Sequence, residues 1–303
     1  MTTDKLHYGF IGCGNLGAGL SGSLLRAGFP LTVHDRDKSV AQPLIDAGAI
    51  WAETPAALAE QVDAVFTCLP SPAITEAVLA EILPGMKDGA TWIETSTISR
   101  DDIHRFAEMA KKHGVETLEC PVTGGVHLAR TGDITVLVGG DDALFDKHLP
   151  ALKTIGNEVL RMGPLGSASV IKVITNMLAF INLVSCGEAL MLAKRGGLDL
   201  AQSWRAIKAS SGTSFVHETE GQLILNGSYD VAFTMDLALK DLGFAQGFGK
   251  EFGVPLALAD LTREIFDKGR EAYGGDAQSP MIVKLLEDAL GTDLRADGFP
   301  ERL

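Results

Sequence analysis

A glycine-rich segment near the N-terminus constrains the fold of this chain more than any other feature of its sequence. Residues 12–17 read Gly-Cys-Gly-Asn-Leu-Gly, directly after an apolar run at 6–11 and before a helical pattern that reaches about Ala27. A strand, a G-x-G-x-x-G turn and a helix in this order are typical of the unit that binds a dinucleotide. A glycine turn without a ligand is the alternative, and the flanking strand and helix argue against it.

Each glycine of this segment has its own task in such a unit. Gly12 permits the tight turn, Gly14 lets the backbone approach the pyrophosphate, and Gly17 lets the helix pack closely on the strand. The N-terminus of the helix offers backbone N–H groups and the positive end of its dipole to the phosphates. We therefore predict a cofactor site made by Gly12, Gly14, Asn15, Leu16 and Gly17.

Short β-rich runs alternate with helical patterns through the first half of the chain, which predicts an α/β fold with a Rossmann-type, doubly wound parallel sheet. After the break Gly163-Pro164-Leu165-Gly166 only helical patterns of comparable quality follow. We therefore predict a dinucleotide-binding domain at 1–164 and an all-helical substrate and dimerisation domain at 165–303. The predicted strands lie at 6–11, 31–34, 64–68, 91–94, 115–118, 134–138 and 158–161, and the long helices of the second half at 167–195, 200–210, 235–252 and 256–270.

Charge and cysteine content limit the partners and the compartment. The net charge is −13, so nucleic acid and anionic membrane surfaces would repel the protein. The most apolar segment, 169–193, carries Lys172 and Glu188, and its uninterrupted apolar part is shorter than the roughly 20 residues of a membrane span. We expect a buried core helix there. The four cysteines have no zinc-ligand spacing and form no disulfide framework, so we expect free thiols, no metal site and a cytoplasmic protein.

Asp35 and Arg36 bear on the choice between NAD and NADP. Asp35 ends the second predicted strand, where an acidic residue would hydrogen-bond the ribose 2′-OH of NAD and repel the 2′-phosphate of NADP. Arg36 could pair with that phosphate, stack on adenine, or be a solvated surface charge. We favour NAD because the carboxylate at the first of the two positions lies nearest the 2′ oxygen.

Two later strand ends occupy equivalent positions. Leu69 and Pro70 follow the strand at 64–68, and Ser96 and Thr97 follow the strand at 91–94. Ligands of open α/β sheets bind at the carboxyl ends of the strands. Simple helix caps are the alternative, since Ser and Thr are preferred there, and for Ser99 the cap is the interpretation that we favour.

The start of the long apolar helix predicts the chemistry. Lys172 and Asn176 are four residues apart and share one helical face among apolar residues. A lysine in apolar surroundings loses hydration, so its pKa falls, which suits a group that gives and takes a proton near neutrality. The alternative is a lysine whose amine reaches solvent from an amphipathic helix. The asparagine amide could orient the substrate hydroxyl or the ammonium.

A hydroxyl residue followed by two glycines suggests the place of the substrate. Thr123, Gly124 and Gly125 come after another predicted strand. Their backbone N–H groups could form a nest that binds a carboxylate, although Gly-Gly also marks ordinary turns. The pair Lys240-Asp241 could be an interhelix ion pair or a second active-site charge.

Taken together, these segments resemble the β-hydroxyacid dehydrogenase family over nearly the whole chain. Four motifs occur in the family's order: the glycine-rich segment 10–17, Cys-Pro-Val-Thr-Gly-Gly at 120–125, the segment 166–176 around Lys172, and Lys-Asp-Leu at 240–242. The chain departs from the family in having Thr123 where serine is usual, and His127, Leu128 and Ala129 near positions where Gly-Ala is common.

The resemblance implies a role for each motif. Lys172 would be the general acid/base, and Thr123, Gly124, Gly125 and Asn176 would bind the substrate. Leu69, Pro70, Thr97 and Lys240 would contact the cofactor, and the protein would be a homodimer or homotetramer built on its C-terminal helices.

The implied reaction is hydride transfer between NAD(P) and a small 3-hydroxy acid, similar to 3-hydroxyisobutyrate, or its semialdehyde. Reduction of glyoxylate, succinic semialdehyde or tartronate semialdehyde is the same chemistry in reverse and stays open. A non-catalytic cofactor-binding scaffold is an alternative from another class, and the presence of Lys172 argues against it. The same lysine argues against an imine reductase, since imine reductases of similar architecture generally lack it.

Overall fold

The computed structural model describes residues 5–303. The chain divides into two compact units, Met1–Lys172 and Val173–Leu303. The division falls at the first turns of the long helix rather than at the glycine and proline break before it. A domain boundary at 164 therefore stays a prediction.

The first unit is built on one sheet. Its strands run in the order β3-β2-β1-β4-β5-β6-β8-β7, with β9 paired to β8. The first six positions follow the order 3-2-1-4-5-6 of dinucleotide-binding folds. The strands are β1 Tyr8–Ile11, β2 Leu31–His34, β3 Ile50–Trp51, β4 Ala64–Thr67, β5 Thr91–Glu94, β6 Glu116–Glu119, β7 Val122–Thr123, β8 Ile134–Gly139 and β9 Gly156–Gly163.

The sheet is parallel from β3 to β6, as predicted. The prediction is wrong for β8, which runs antiparallel to both β6 and β7. Only residues 124–133 connect β7 to β8, and a parallel crossover needs a dozen or more residues, usually with a helix. Strands β3 and β7 were not predicted, because two residues are too few to show a strand pattern.

Apolar side chains on both faces of the strands anchor helices on both sides of the sheet. Phe10 and Phe66 are fully buried on one face, where their rings stack with centroids 5.6 Å apart. Val65 and Trp92 are fully buried on the other face. The helices of this unit are α1 Asn15–Arg26, α2 Lys38–Asp46, α3 Pro55–Ala59, α4 Pro72–Ile82, α5 Arg100–Lys111, α6 Val126–Thr131 and α7 Asp142–Ile155.

The long helix α8, Ser167–Arg195, begins in the first unit and continues into the second. By length and composition alone it could cross a membrane, and one third of its most apolar window is buried. The expectation of a buried core helix is therefore only partly correct, because Leu178 is 50% exposed and Leu192 is 77% exposed.

The second unit is helical, and among its residues only an isolated bridge between Thr234 and Gln278 has β character. Phe180, Leu242 and Phe266 lie at the centre of its core. The C-terminal residues after 291 are irregular, apart from turns. Besides α8, its helices are α9 Leu200–Lys208, α10 Phe215–Glu218, α11 Glu220–Asn226, α12 Met235–Phe252, α13 Ala257–Tyr273 and α14 Lys284–Leu290.

Candidate active site

The glycine-rich turn lies where the strand order of the sheet reverses. Strand β1 has β2 on one side and β4 on the other, and dinucleotides bind outside the carboxyl ends of strands at such a point. Gly12 follows β1 with φ +96°. A Cβ atom on Gly12 would lie 2.2 Å from the carbonyl oxygen of Cys68, just after β4. Only glycine allows the two strand ends to approach this closely.

The next two glycines differ in what surrounds them. A Cβ atom on Gly17 would lie 1.8 Å from the carbonyl oxygen of Gly12, so Gly17 permits helix α1 to pack on the turn. A Cβ atom on Gly14 would meet no protein atom within 4 Å. Helix α1 begins at Asn15 without a side-chain cap, so the N–H groups of Asn15 and Leu16 lie at an uncapped helix end. The open space at Gly14 and this end fit the pyrophosphate of a nicotinamide cofactor.

The Asp35 carboxylate is hydrogen-bonded to the backbone of the glycine-rich turn. Its Oδ2 accepts a hydrogen bond of 2.7 Å from the Cys13 N–H, and its Oδ1 accepts one of 3.0 Å from the Asp37 N–H. Asp35 is half-buried, whereas Arg36 is exposed. The carboxylate is therefore held in one orientation at the end of β2. The sequence predicted its position, but not its hydrogen bond to Cys13.

A buried hydrogen-bond chain joins the ends of β4 and β5. The Leu69 N–H donates to Ser96 Oγ at 2.7 Å, and the Ser96 N–H donates to Glu94 Oε1 at 2.6 Å. Glu94 is only 1% exposed. Burial raises the pKa of Glu94 to about 7, against the opposing effect of its hydrogen bonds from Ser96.

These contacts bear on the helix-cap interpretation of the two strand ends. Helix α4 is capped by Ser71 and helix α5 by Ser99, whose side chains accept backbone hydrogen bonds. The cap at Ser99 is therefore confirmed, and Ser96 and Thr97 are not helix caps. Sequence reasoning missed Glu94, although an acidic residue ending an otherwise apolar strand is a usable signal.

The predicted carboxylate segment spans the end of the short edge strand β7 and the turn that precedes α6. Thr123 is in β7, and Gly124 and Gly125 have φ values of +126° and +93°. Gly125 precedes α6 without a side-chain cap. Side chains other than that of glycine rarely allow such φ values, so the backbone of this segment requires glycine at both positions. Helix α6 packs on α1, where a Cβ atom on Gly19 would lie 2.8 Å from the Ala129 backbone.

His127 lies at the rim of this segment. Its Nδ1 would be 3.2 Å from a Cβ atom on Gly125, so the ring covers the backbone of the second glycine. Burial lowers the pKa of His127, and the nearby positive charge of Arg130 lowers it further. The His127 imidazole is therefore uncharged at neutral pH, and it occupies a position where the family commonly has a small residue.

Lys172 occupies the buried face of α8. It is 8% exposed, whereas the apolar side chains of Ile174 and Leu178 are 38% and 50% exposed. A lysine inside and a leucine outside reverse the pattern of an ordinary amphipathic helix. The interpretation of Lys172 as a solvent-reaching surface lysine is therefore wrong.

In the second unit, Asp241 holds two of the predicted site residues. Asn176 Nδ2 donates to Asp241 Oδ2 at 2.6 Å, and Lys240 Nζ lies 3.0 Å from Asp241 Oδ1. Asp241 is 1% exposed. The ion pair therefore joins neighbours on α12, and the interhelix link is the hydrogen bond from Asn176 on α8. Sequence reasoning noted Asp241 without giving it this orienting contact.

The predicted site residues are divided between the two units. Among residues 5–303, no group of three His, Cys, Asp or Glu side chains could hold a metal ion. The first unit contains Gly12, Gly14, Asn15, Leu16, Gly17, Asp35, Arg36, Leu69, Pro70, Thr97, Thr123, Gly124, Gly125 and Lys172, and the second contains Asn176 and Lys240.

The fold and the glycine-rich turn define a nicotinamide-dependent dehydrogenase. Residues 7–163 match the family model described as the NAD binding domain of 6-phosphogluconate dehydrogenase. Residues 166–286 match the model described as "NAD-binding of NADP-dependent 3-hydroxyisobutyrate dehydrogenase". The second half, expected from the sequence to be a substrate domain, therefore also resembles a segment described by its cofactor.

Similar proteins point to one group of enzymes. The 2-(hydroxymethyl)glutarate dehydrogenase of Eubacterium barkeri is 31% identical over 96% of this chain and 98% of its own length. The mitochondrial 3-hydroxyisobutyrate dehydrogenase of Mus musculus is 32% identical, over 87% and 82%. A 3-hydroxyisobutyrate dehydrogenase structure from Salmonella typhimurium aligns with a TM-score of 0.87 and 28% identity, over 93% of this chain and 100% of that one.

The chain belongs to the β-hydroxyacid dehydrogenase family. It is an NAD(P)-dependent oxidoreductase that acts on a small 3-hydroxy acid.

Proposed function

We propose that Lys172 is the residue that moves the hydroxyl proton when this enzyme oxidises its 3-hydroxy acid. The observation that carries this proposal is the burial of Lys172 on a helix that leaves the nearby apolar side chains of Ile174 and Leu178 exposed. Lysine is rarely buried in a folded protein unless it is paired, and a buried amine beside the cofactor domain is suited to act as a general acid/base.

The segment after β7 supplies a place for the substrate carboxylate. The Thr123 hydroxyl and the N–H groups of Gly124 and Gly125 would donate to it. Neutral Lys172 then removes the proton of the 3-hydroxyl as hydride leaves the same carbon. In the reverse direction the ammonium form returns the proton to the developing alkoxide. The nicotinamide, when bound, supplies the redox chemistry.

Asn176 would orient the substrate hydroxyl or the amine. Asp241 takes one N–H of the amide at 2.6 Å, which fixes the plane of the side chain. The amide therefore presents its remaining hydrogen-bonding groups in a set direction. Lys240, paired with the same carboxylate, would contact the cofactor, as the family resemblance implies.

We propose NAD as the preferred cofactor. The carboxylate of Asp35 is fixed by two backbone N–H groups at the end of β2, and it retains lone pairs for a ribose 2′-OH. The same negative charge would repel a 2′-phosphate. Arg36 is exposed and would have to turn toward the ribose to reverse this preference. The description of the second family model names NADP, so the two cofactors are compared directly in the assay below.

The test follows reduced nicotinamide by its absorbance with NAD and NADP, across 3-hydroxyisobutyrate, L-threonate, glycerate, 3-hydroxypropionate and 2-(hydroxymethyl)glutarate. For the active acid, Lys172→Met should lower kcat by about 100- to 10,000-fold while NAD still binds. Lys194→Met is the matched control, because Lys194 is on the last turn of the same helix, 3.8 Å from Asp293. Retained turnover in Lys172→Met would remove the proposed role, and a higher kcat/KM with NADP than with NAD would reverse the cofactor preference.

We also propose a homo-oligomer in the cytoplasm. Helix α13 exposes Leu258 and Leu261 by 65% and 54%, and grouped exposed apolar side chains are typical of interfaces. The cysteines at positions 13, 68, 120 and 186 are free, which is compatible with a reducing compartment. Cell fractionation tests the compartment, and recovery of the enzyme outside the cytoplasm would contradict it.

A further inference from the structure

Glu119 caps the helix that carries Lys172, although it lies on a strand far away in sequence. Its Oε1 accepts a hydrogen bond of 2.9 Å from the Ala168 N–H. Its Oε2 accepts one of 3.0 Å from the Ser169 N–H and one of 2.5 Å from the Ser169 hydroxyl. Both oxygens of the carboxylate therefore accept hydrogen bonds from donors of the first turn of α8.

The surroundings are built to hold this carboxylate. Glu119 is 1% exposed, and a Cβ atom on Gly139, its partner across β6 and β8, would lie 2.1 Å from Oε1. Position 139 accepts only glycine, because the Glu119 carboxylate occupies the space that a side chain at this position would fill. Gly166, the residue before α8, has no side chain with which to cap the helix. An acidic group from another strand takes over that task and complements the helix dipole.

The position of Glu119 links the two parts of the proposed chemistry within the first unit. Along the chain it ends β6 and directly precedes the segment 120–125, which leads to Thr123 and the two glycines. Through its hydrogen bonds it holds Ala168 and Ser169, which are four and three residues before Lys172. A residue three or four positions further on in a helix lies on the same face, one turn away. The Glu119 side chain therefore joins the first turn of α8 to the end of β6, the strand that precedes the carboxylate segment.

We propose that Glu119 is a positioning residue for Lys172, acting by fixing the first turn of α8 against the end of β6. This proposal rests on the proposed role of Lys172. The buried carboxylate does not touch the substrate; its function is to keep the amine at one distance from the carbon that loses hydride. A misplacement of about 1 Å in such an arrangement lowers the rate about 100-fold.

The variants separate positioning from simple helix capping. Glu119→Gln keeps the shape but places an amide NH₂ against backbone N–H groups, and Glu119→Asp keeps the charge but is one methylene shorter. Asp199→Asn is the matched control, because Asp199 caps α9 by accepting a 2.8 Å hydrogen bond from the Gln202 N–H. The readouts are kcat, KM for NAD and for the acid, and the melting temperature.

We expect Glu119→Gln to lower kcat by about 10- to 100-fold, with the KM for NAD unchanged, and Glu119→Asp to restore part of the loss. Asp199→Asn makes the same carboxylate-to-amide change at another helix cap and should leave kcat unchanged, and the melting temperature should change little because asparagine caps helices about as well as aspartate. If Glu119→Gln does not fold, Glu119→Asp and Ser169→Ala provide the same comparison. A wild-type kcat in the folded variants would overturn the proposal.

A double-mutant cycle with Lys172→Met identifies the route of the effect. If Glu119 acts through the lysine, Glu119→Gln should change the residual rate of Lys172→Met by less than about twofold. An additive loss in the double variant would show that Glu119 acts independently of Lys172 and would overturn the proposal. Wild-type activity in Lys172→Met alone would instead overturn the proposed function, so the two failures are distinguishable.

Discussion

Replacing Gly14 by alanine should weaken cofactor binding at least about 100-fold without harming the fold. Gly14 has φ −65° and ψ −166°, a conformation open to any L residue, and a Cβ atom there would meet no protein atom within 4 Å. The added methyl group enters only the space that the pyrophosphate would occupy. The variant therefore tests cofactor binding at Gly14 without disturbing the packing of the turn.

The expected effect on stability is small. An alanine at a compatible glycine position stabilises by about 0.4–1 kcal/mol through the unfolded state, and alanine in place of glycine at an N-cap costs up to about 1 kcal/mol. The two contributions nearly cancel, so the melting temperature should change by no more than about 3 °C. Gly17→Ala is the contrasting variant, since its Cβ atom would lie 1.8 Å from the Gly12 carbonyl oxygen. We expect it to lose about 3 kcal/mol or more.

The effect on binding should be large. Each lost hydrogen bond to a charged phosphate costs about 1.5–3 kcal/mol, so losing two raises the Kd for NAD at least about 100-fold. At an NAD concentration 100 times the wild-type Kd, the ligand stabilises the wild type by about 2.7 kcal/mol. The same concentration would stabilise Gly14→Ala by only about 0.4 kcal/mol.

Thermal unfolding with and without NAD measures both quantities. The wild type should gain about 5–10 °C with NAD, and Gly14→Ala about 1 °C. An NAD-induced shift of wild-type size in Gly14→Ala would refute the reasoning, because it would show that the pyrophosphate does not approach this residue.

Two further predictions concern stability and assembly. Burial, with a smaller effect of the Lys147 charge, lowers the pKa of His148 to about 3, below its unfolded value of about 6.5. Between these two values the unfolded chain binds a proton that the folded chain does not. The free energy of unfolding therefore decreases as the pH is lowered, by about 2 kcal/mol at pH 5. His148→Gln should remove this part of the acid dependence in denaturant titrations at pH 7 and pH 5, and a slope with pH equal to that of the wild type would contradict it. Leu258→Glu with Leu261→Glu should shift the sedimentation coefficient to that of a smaller species, and an unchanged coefficient would exclude this face of α13 from the interface.

The first half of the fold was predictable because its signals are local. The glycine spacing at 12–17 and the short apolar runs between helical patterns depend on neighbours within one turn or one strand. The bounds of β2 and β5 and of the helices α8 and α12 agree with the sequence pattern for this reason. The antiparallel β8 was missed because strand direction depends on the length of the connection and on the pairing partner, which a run of apolar residues does not contain.

The orienting side chains of the site escaped prediction for the opposite reason. Glu119 meets Ala168 across 49 positions of the chain, and Asn176 meets Asp241 across 65. No pattern within a helix or strand records such pairs, since each residue alone looks like an ordinary polar side chain.

The sequence by itself determined the dinucleotide-binding turn and the helical face that Lys172 shares with Asn176, because a glycine turn and a helical face need only a few consecutive residues. The burial of Lys172 and the contacts of Glu94, Glu119 and Asp241 were decided only by the tertiary structure. Whether a carboxylate caps a helix, binds a loop N–H or orients an amide depends on which donors the folded chain brings within hydrogen-bonding distance and away from water.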